Sequence, residues 1–308
     1  MSLLKVEDLK VHFPIRGGVF RTVVDYVRAV DGISFELREG ETYGLIGESG
    51  SGKSTAGKAI LQLTKATGGS IEFEQNDLIS LSKKQMRAFR KEIQMIFQDP
   101  YSSLNPKKRI IDLVAEPLRN FEKLSPDEER EKVLYYLQKV GLPPEALFKY
   151  PHEFSGGQRQ RIGIARALTL QPKLIVADEP VSALDVSVQA QVLNFLQDLQ
   201  EEFKLTYLFI GHDLGVIRHL CDRIGVMYRG RLVEEGTTED ILSNPQHIYT
   251  RRLIAAIPDI RPEVRAEKIN ARQEVRIEYE KNSSSYFDAN GRPFDLKPIS
   301  DTHRVALP

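Results

Sequence analysis

The chain has 308 residues, with 43 Lys or Arg and 43 Asp or Glu, so its formal net charge is zero. This balance lacks the global basic field that nucleic-acid-binding proteins present. Cys221 is the only cysteine, which excludes an internal disulfide and a thiolate cluster for zinc or iron–sulfur. No apolar run approaches the ~20 residues that span a bilayer, and the first residues do not resemble a signal peptide. We therefore expect a soluble cytoplasmic protein with one large domain or two modest ones.

Apolar runs of β type open the chain and surround a glycine-rich segment. The pattern predicts strands at Leu3–Val6, Leu9–Phe13, Val27–Leu37, Glu41–Ile46 and Ser70–Phe73. Between the last two strands, the sequence predicts a helix over about Lys53–Leu63. The chain thus begins with a β-rich part that contains one strand–loop–helix unit.

The loop of this unit has the pattern of a phosphate-binding P-loop. Residues 47–55 read Gly-Glu-Ser-Gly-Ser-Gly-Lys-Ser-Thr directly after an apolar run. Three glycines let backbone N–H groups close around phosphate oxygens, and the start of the helix adds its positive dipole end. A chance match in a flexible turn is the alternative, and the flanking strand and helix disfavour it. The predicted ATP-binding residues are Gly47, Glu48, Ser49, Gly50, Ser51, Gly52, Lys53, Ser54 and Thr55.

A mainly helical segment is predicted between Asp99 and Ala165, after an amphipathic stretch at Lys83–Arg90 and a strand at Ile93–Phe97. Ser125 and Pro126 have the pattern of a helix N-terminus, with a capping serine and a proline at the first helical position. The predicted helices are Ile110–Arg119, Pro126–Val140 and Gly157–Leu168. We interpret the segment as a helical subdomain inserted into an α/β core.

Strands and helices then alternate, which predicts a parallel sheet with helices on both faces. The strands are Leu174–Ala177, Thr206–Ile210, Ile224–Tyr228 and Arg231–Glu235, and the helices are Ser187–Phe203, Leu214–Leu220, Thr238–Leu242 and Tyr249–Ile257. From Pro258 the chain is polar, with a loop or linker at Asn282–Ser285. The predicted domains are 1–98, the first part of the core with a β subdomain; 99–165, the helical subdomain; 166–237, the rest of the core; and 238–308, a C-terminal extension.

A second anion site is predicted at a helix start. Residues 154–158 read Phe-Ser-Gly-Gly-Gln and lead into a helix that carries several arginines. Because the P-loop already holds a complete phosphate tail, this second cradle would serve the nucleotide of a second subunit turned head to tail. A simple helix N-cap with tight packing and no ligand is the alternative.

Several motifs in a fixed order resemble those of the ATP-binding cassette (ABC) ATPases, over roughly residues 3–258. Residues 47–55 are similar to Walker A, 154–158 to the ABC signature, 174–178 to Walker B and 182–185 to the D-loop. Gln98 matches the Q-loop and His212 the switch histidine. Phe154 stands where Leu is commoner, and Gly211 where Ser is more usual. The resemblance implies a P-loop NTPase fold with an antiparallel N-terminal β subdomain and an inserted helical subdomain.

The resemblance also implies roles for the motif residues. Glu179 would be the general base, with His212 and Gln98 as further catalytic residues. Mg²⁺ would be held by Ser54, Gln98 and Asp178, and Asp185 would cross the dimer interface. The residues facing the partner's ATP would be Ser155, Gly156, Gly157 and Gln158.

The aromatic side chain that stacks on adenine stays open. The family resemblance suggests Phe13, and the insertion over residues 14–28 makes Tyr26 an alternative. Either aromatic could equally belong to the core.

Two further stretches resemble oligopeptide and dipeptide importers. They are Gln98–Pro106, an extension of the Q-loop, and a C-terminal stretch formed by Asn244–Thr250 and then Leu253–Pro258, where Ile248 departs from the usual proline. Some relatives carry an iron–sulfur cluster in the tail, but the tail here has no cysteine, so we predict none.

The resemblance implies an ATPase at the cytoplasmic face of the membrane that drives peptide uptake. Its partners would be a second, homologous ATPase expected to be non-identical, two transmembrane permease subunits and, indirectly, an extracytoplasmic peptide-binding protein, with no nucleic acid. The alternatives are import of nickel or another small solute by the same architecture, and a soluble ABC ATPase that acts on ribosomes or DNA.

Overall fold

The computed structural model describes residues 2–99, 101, 103–257 and 265–308. It divides into two compact units, one formed by Met1–Ser80 with Phe209–Pro308 and the other by Leu81–Leu208. No helix in these described ranges combines the length and the apolar character that crossing a membrane requires. The domain bounds predicted from the sequence stay a prediction.

Most strands of the described residues follow the apolar runs of the sequence, whereas the short strands at Asn76–Asp77, Leu296–Pro298 and Arg304–Ala306 were not predicted. In chain order they are β1 (Ser2–Gly17), β2 (Thr22–Arg38), β3 (Thr42–Ile46), β4 (Gly68–Phe73), β5 (Asn76–Asp77), β6 (Ile93–Ile96), β7 (Leu174–Asp178), β8 (Thr206–Gly211), β9 (Arg223–Tyr228), β10 (Arg231–Thr237), β11 (Leu296–Pro298) and β12 (Arg304–Ala306).

The helices begin mostly at polar capping residues. They are α1 (Lys53–Ile60), α2 (Lys83–Glu92), α3 (Ile110–Phe121), α4 (Pro126–Lys139), α5 (Gly156–Leu168), α6 (Val186–Phe203), α7 (Leu214–Leu220), α8 (Thr238–Ser243), α9 (Ile248–Ala255) and α10 (Arg265–Asn282). Short 3-10 helices lie at Pro144–Phe148, Pro151–Glu153 and Ser283–Tyr286.

The first unit contains two groups of strands. An antiparallel sheet has the order β2-β1-β4-β5, and its buried side chains Leu4 and Val6 lie opposite Phe73 and Ile71 on the neighbouring strand. In the second group β3 pairs in parallel with β9, and β9, β10, β12 and β11 follow as antiparallel neighbours. All five residues of β3 are buried. This buried strand carries the P-loop at its carboxyl end, as in other α/β nucleotide sites.

The second unit joins a parallel strand pair to helices α2–α6. β6 and β7 are in register from Ile93 opposite Leu174 to Ile96 opposite Ala177. Because both faces of β7 are covered, its residues form the continuous apolar run that predicted a central parallel strand. Serine capping boxes start α2, α4 and α5, and Ser125 with Pro126 opens α4 as expected.

Three predictions about local structure were wrong. The insertion after Phe13 does not interrupt the strands, because β1 and β2 continue through it as one long hairpin that turns at residues 18–21. Helix α1 ends at Ile60 rather than near Leu63. Asn282–Ser285 is not a loop, since it contains the end of α10 and the start of a 3-10 helix.

Helix α10 was not predicted, because its sequence is charge-rich and lacks a strong apolar stripe. Ion pairs and hydrogen bonds join it to α9 and the residues after it: Arg251 forms a bidentate ion pair with Glu278, and Arg272 donates to the carbonyl oxygens of Ala255, Ala256 and Ile257. Arg272 therefore satisfies the carbonyl groups at the end of α9 and just after it, which a helix end leaves without an internal partner.

Candidate nucleotide-binding site

The P-loop, residues 47–52, connects buried strand β3 to helix α1. Gly47 and Gly52 have φ angles of 153° and 105°, in the region that favours glycine. A Cβ atom at Gly47 would lie 2.1 Å from the carbonyl oxygen of Met227, and one at Gly52 would lie 2.0 Å from that of Ala29. The backbone of two neighbouring segments therefore fixes the loop at both ends.

The side chain of Lys53 points back into this loop. It is 4% exposed, and its Nζ donates to the carbonyl oxygens of Gly47 at 2.8 Å and Glu48 at 2.9 Å and to the Ser51 hydroxyl at 3.3 Å. Gly52 occupies the N-cap of α1 and supplies no side-chain acceptor to the first turn. The loop thus combines a buried ammonium group with a helix N-terminus, which is the chemistry of a phosphate site.

In the second unit, the residues after β7 lie close to the end of β6. Asp178 is 4% exposed at the last position of β7. Glu179 follows with a φ of 46°, and Gln98 Nε2 donates to its Oε2 at 3.0 Å. Ser182 donates through both its N–H and its hydroxyl to the Glu179 carbonyl oxygen. The backbone of Glu179 is thus in the left-handed conformation, and the turn to Ser182 and the side-chain amide of Gln98 hold it there. Such strained backbone is found at functional sites.

The signature residues lie at the start of α5 in the same unit. Ser155 Oγ accepts the Gln158 N–H at 3.3 Å, and Gln158 Oε1 accepts the Ser155 N–H at 3.0 Å. Both of these side chains are exposed, whereas Gly157 is buried, and a Cβ on it would lie 2.3 Å from Val188 Cγ1 of α6. A side chain at this glycine would therefore push the start of α5 away from α6.

The D-loop and the Q-loop extension flank this helix start. Asp185 is exposed at the N-cap of α6. The Arg159 guanidinium lies 4.2 Å from the centre of the Tyr101 ring. Pro100 and Ser102, which belong to the predicted Q-loop extension, lie outside the described residues, as does Pro258 in the second stretch.

The remaining predicted residues belong to the first unit. His212 follows β8 directly and is exposed. Ser54 and Thr55 are half-buried in the first turn of α1. The P-loop and His212 are thus in one unit, and Gln98, Asp178 and Glu179 in the other, so a catalytic set drawn from all of them is a proposal.

The two candidate aromatic residues lie on the β1–β2 hairpin and are 44% (Phe13) and 50% (Tyr26) exposed. Phe13 pairs with Val27, and Pro14 pairs with Tyr26. Because adjacent cross-strand pairs point to opposite faces, these two rings lie on different faces of the hairpin. Only one of them can therefore face a nucleotide bound at the P-loop.

Sequence reasoning missed two residues of the C-terminal extension that contact the P-loop. The Tyr249 hydroxyl accepts the Glu48 N–H at 2.9 Å, and the Arg252 guanidinium lies 2.5 Å from Glu48 Oε1. Burial raises the pKa of Tyr249 to about 12, so its hydroxyl is protonated at neutral pH. No local signal could have revealed the contact, since 201 positions separate Glu48 from Tyr249.

Known proteins share these features along the chain. The family model of ABC transporters matches residues 30–182, and that of the C-terminal region of oligopeptide/dipeptide transporters matches residues 233–293. The oligopeptide transport ATP-binding protein OppF of Lactococcus lactis subsp. lactis is 52% identical over 310 residues, with 100% of this chain and 96% of that protein covered. The chain belongs to the ABC transporter family. The dipeptide transport ATP-binding protein DppF of Escherichia coli is 48% identical to this ABC protein over 273 residues, 89% of this chain and 81% of that one.

Solved ABC cassettes share the fold of this ABC protein. A dimeric cassette in a post-hydrolysis state bound to ADP and Pi gives a TM-score of 0.68 at 28% identity, over 76% of this chain and 98% of that one. The cassette cbiO1 of Clostridium perfringens, part of the cbiONQ transporter complex, gives 0.69 at 27% identity, over 89% and 99%. The predicted family and the P-loop ABC fold are confirmed, and as an ABC ATP-binding protein the chain hydrolyses ATP.

Proposed function

We propose that ATP hydrolysis by this chain drives the uptake of oligopeptides or dipeptides through a membrane permease. The observation that carries the proposal is the match of residues 233–293 to the C-terminal region of oligopeptide/dipeptide transporters. Two relatives, each 52% identical and matched over 96% and 80% of their length, are named for oligopeptide transport, which supports the same solute class.

The nucleotide is bound first by the P-loop. Backbone N–H groups of the loop after Glu48 and the N-terminus of α1 surround its phosphates, while Lys53 places an ammonium charge on the β- and γ-phosphates. The burial of Lys53 supports this role, because a charge inside the loop is worth more than one in water. Either Phe13 or Tyr26 stacks on the adenine.

The residues proposed for Mg²⁺ fit that ion by their chemistry. The Ser54 hydroxyl, the Gln98 amide and the Asp178 carboxylate all offer oxygen ligands, which Mg²⁺ prefers. When bound, Mg²⁺ neutralises charge on the phosphates.

Glu179 then acts as the general base and takes a proton from the water that attacks the γ-phosphate. Gln98 orients the Glu179 carboxylate through the 3.0 Å hydrogen bond, and His212 responds to the γ-phosphate.

The second nucleotide contact comes from a partner subunit. Ser155, Gly156, Gly157 and Gln158 face the partner's ATP, and Asp185 crosses the interface. The exposure of Ser155 and Gln158 supports this role, as does the start of α5, whose first N–H groups have no partner within the helix. The partner is a second, homologous and non-identical ATPase, and both ATPases lie at the cytoplasmic face of the membrane on two permease subunits.

The proposal is tested by purifying the chain from membranes and identifying bound subunits by mass spectrometry. ATPase activity of the complex, reconstituted in liposomes with its binding protein, is then measured with added peptides and with Ni²⁺. Stimulation by peptides is expected. Stimulation by Ni²⁺ alone would mean that a complex of the same architecture imports a metal ion instead of peptides. Recovery of ribosomes or DNA in place of a permease would contradict a role in transport.

A further inference from the structure

One peptide unit of the P-loop is held from both sides. The carbonyl oxygen of Gly47 accepts from Lys53 Nζ at 2.8 Å, and the N–H of Glu48 donates to the Tyr249 hydroxyl at 2.9 Å. These two groups belong to the same planar peptide. Together the two hydrogen bonds therefore fix the direction of that plane.

Tyr249 is itself immobilised near the start of α9. Its side chain is 0% exposed, and its ring centre lies 4.5 Å from that of Tyr228 at the end of β9. Its backbone N–H donates to His247 Nδ1 at 3.1 Å. A rigidly held hydroxyl can orient the loop at little entropic cost, since the ring has no freedom left to lose.

Arg252 lies three residues further along α9 and contacts the same P-loop residue. Its guanidinium is 2.5 Å from the Glu48 carboxylate, 5.3 Å from the centre of the Tyr249 ring and 4.4 Å from that of the Tyr279 ring. Glu48 is thus held through its backbone by Tyr249 and through its side chain by Arg252.

We propose that Tyr249 is a positioning residue that sets the ATP affinity of the P-loop, with Arg252 as a weaker second support. A flip of the 47–48 peptide would exchange the directions of its C=O and N–H groups. The carbonyl oxygen would then leave Lys53, and its negative end would be free to turn toward bound phosphate. By holding the Glu48 N–H, Tyr249 disfavours that flip. The C-terminal extension is then part of the nucleotide site, an inference that rests on the proposed role of the P-loop in ATP binding.

Tyr249→Phe in the full chain tests this directly, because it removes one hydroxyl and keeps the ring. Loss of one buried hydrogen bond predicts about three- to tenfold weaker binding of a fluorescent ATP analogue and a KM for ATP raised by the same factor. The kcat should stay within about twofold, since the bond is the same in the ground and transition states. The matched control is Tyr207→Phe, which removes a buried hydroxyl that has no hydrogen-bond partner among the described residues.

Unchanged ATP affinity in Tyr249→Phe, together with a lowered melting temperature of the nucleotide-free protein, would show a purely structural role and overturn the inference.

If Tyr249→Phe does not fold, Arg252→Gln takes its place, with Arg252→Lys as the charge-preserving rescue. About twofold weaker ATP binding is expected for this half-exposed pair. Arg251→Gln, a change on the same helix as Arg252 that breaks the ion pair with Glu278 of α10, is its control and should leave affinity unchanged. Failure of the unaltered chain to bind ATP would instead contradict the proposed function itself.

Discussion

The two glycine-rich anion sites differ in how the chain completes them. The P-loop is enclosed by backbone near Ala29 and Met227 and by Tyr249, and its lysine is buried. The start of α5 is exposed, and Ser155 and Gln158 cap each other there. One site is thus built by distant parts of the same chain, whereas the other presents an open helix end. The difference supports a P-loop preorganised for its nucleotide and the proposal that the signature is completed as a binding site by a partner.

The largest expected effect separates binding from chemistry. Glu179→Gln removes the base but keeps the size of the side chain, so we expect ATP hydrolysis to fall about 10²- to 10⁴-fold. ATP affinity should not change, and the ATP-bound dimer should accumulate in size-exclusion chromatography. Glu201→Gln, which changes an exposed carboxyl group on α6, is the control. Hydrolysis at the normal rate would remove Glu179 from the role of base.

Lys53→Ala should instead weaken the binding of ATP. The buried ammonium group is the one cationic side chain that the P-loop motif itself supplies, so we expect ATP affinity to fall by about hundredfold. The measurement is a titration with a fluorescent ATP analogue, and Lys58→Ala, an exposed position on the same helix, should bind normally. Equal affinity of the two variants would refute the preorganised P-loop.

The segment that supports the P-loop through Tyr249 also contains the buried His247, which should make the first unit less stable at low pH. Burial lowers the pKa of His247 from 6.5 to about 4. Because the unfolded chain then takes up a proton more readily than the folded one, stability is full above pH 6.5 and falls as the pH drops towards 4. This histidine should cost about 2 kcal/mol of unfolding free energy at pH 5.

Urea unfolding at pH 7.5 and pH 5 measures this effect. His247→Gln should lose less stability between the two values than the unaltered chain, by the same amount. His152→Gln, which removes an exposed histidine, should keep the full pH dependence. Identical pH dependence in all three proteins would contradict a buried neutral His247.

Local patterns account for the parts of the site that the sequence could predict. The apolar run of β7, the glycines of the P-loop and the Ser125–Pro126 cap each specify their conformation within a few residues. The strand end at Asp178 and the helix start at Ser155 are local signals of the same kind, whereas the names Walker B and signature come from the family resemblance.

Contacts between distant segments could not be predicted in this way. Glu48 meets Tyr249 only because β3 and β9 pair in parallel and bring Tyr228 beneath the Tyr249 ring. Helix α10 is fixed by Arg251 and Arg272 rather than by an apolar stripe, so its sequence carries no periodic signal. The distal part of the β1–β2 hairpin, about residues 13–28, is held by backbone pairing with mostly exposed side chains, which hydrophobic patterning does not detect.

The smallest expected effect, that of Gly157→Ala, separates the signature at the start of α5 from the P-loop. Gly157→Ala places a Cβ atom 2.3 Å from Val188 Cγ1, so the start of α5 must shift. If the signature acts on the partner's nucleotide, turnover by the assembled complex should fall about tenfold, because small misplacements of a catalytic group are costly. ATP binding by the single chain should not change, since its P-loop is intact.

Gly163→Ala on the same helix meets no atom within 4 Å and should leave both quantities unchanged. Loss of ATP binding by the lone Gly157→Ala subunit would mean that the signature serves the chain's own nucleotide, and the contrast between a self-completed and a partner-completed site would be wrong.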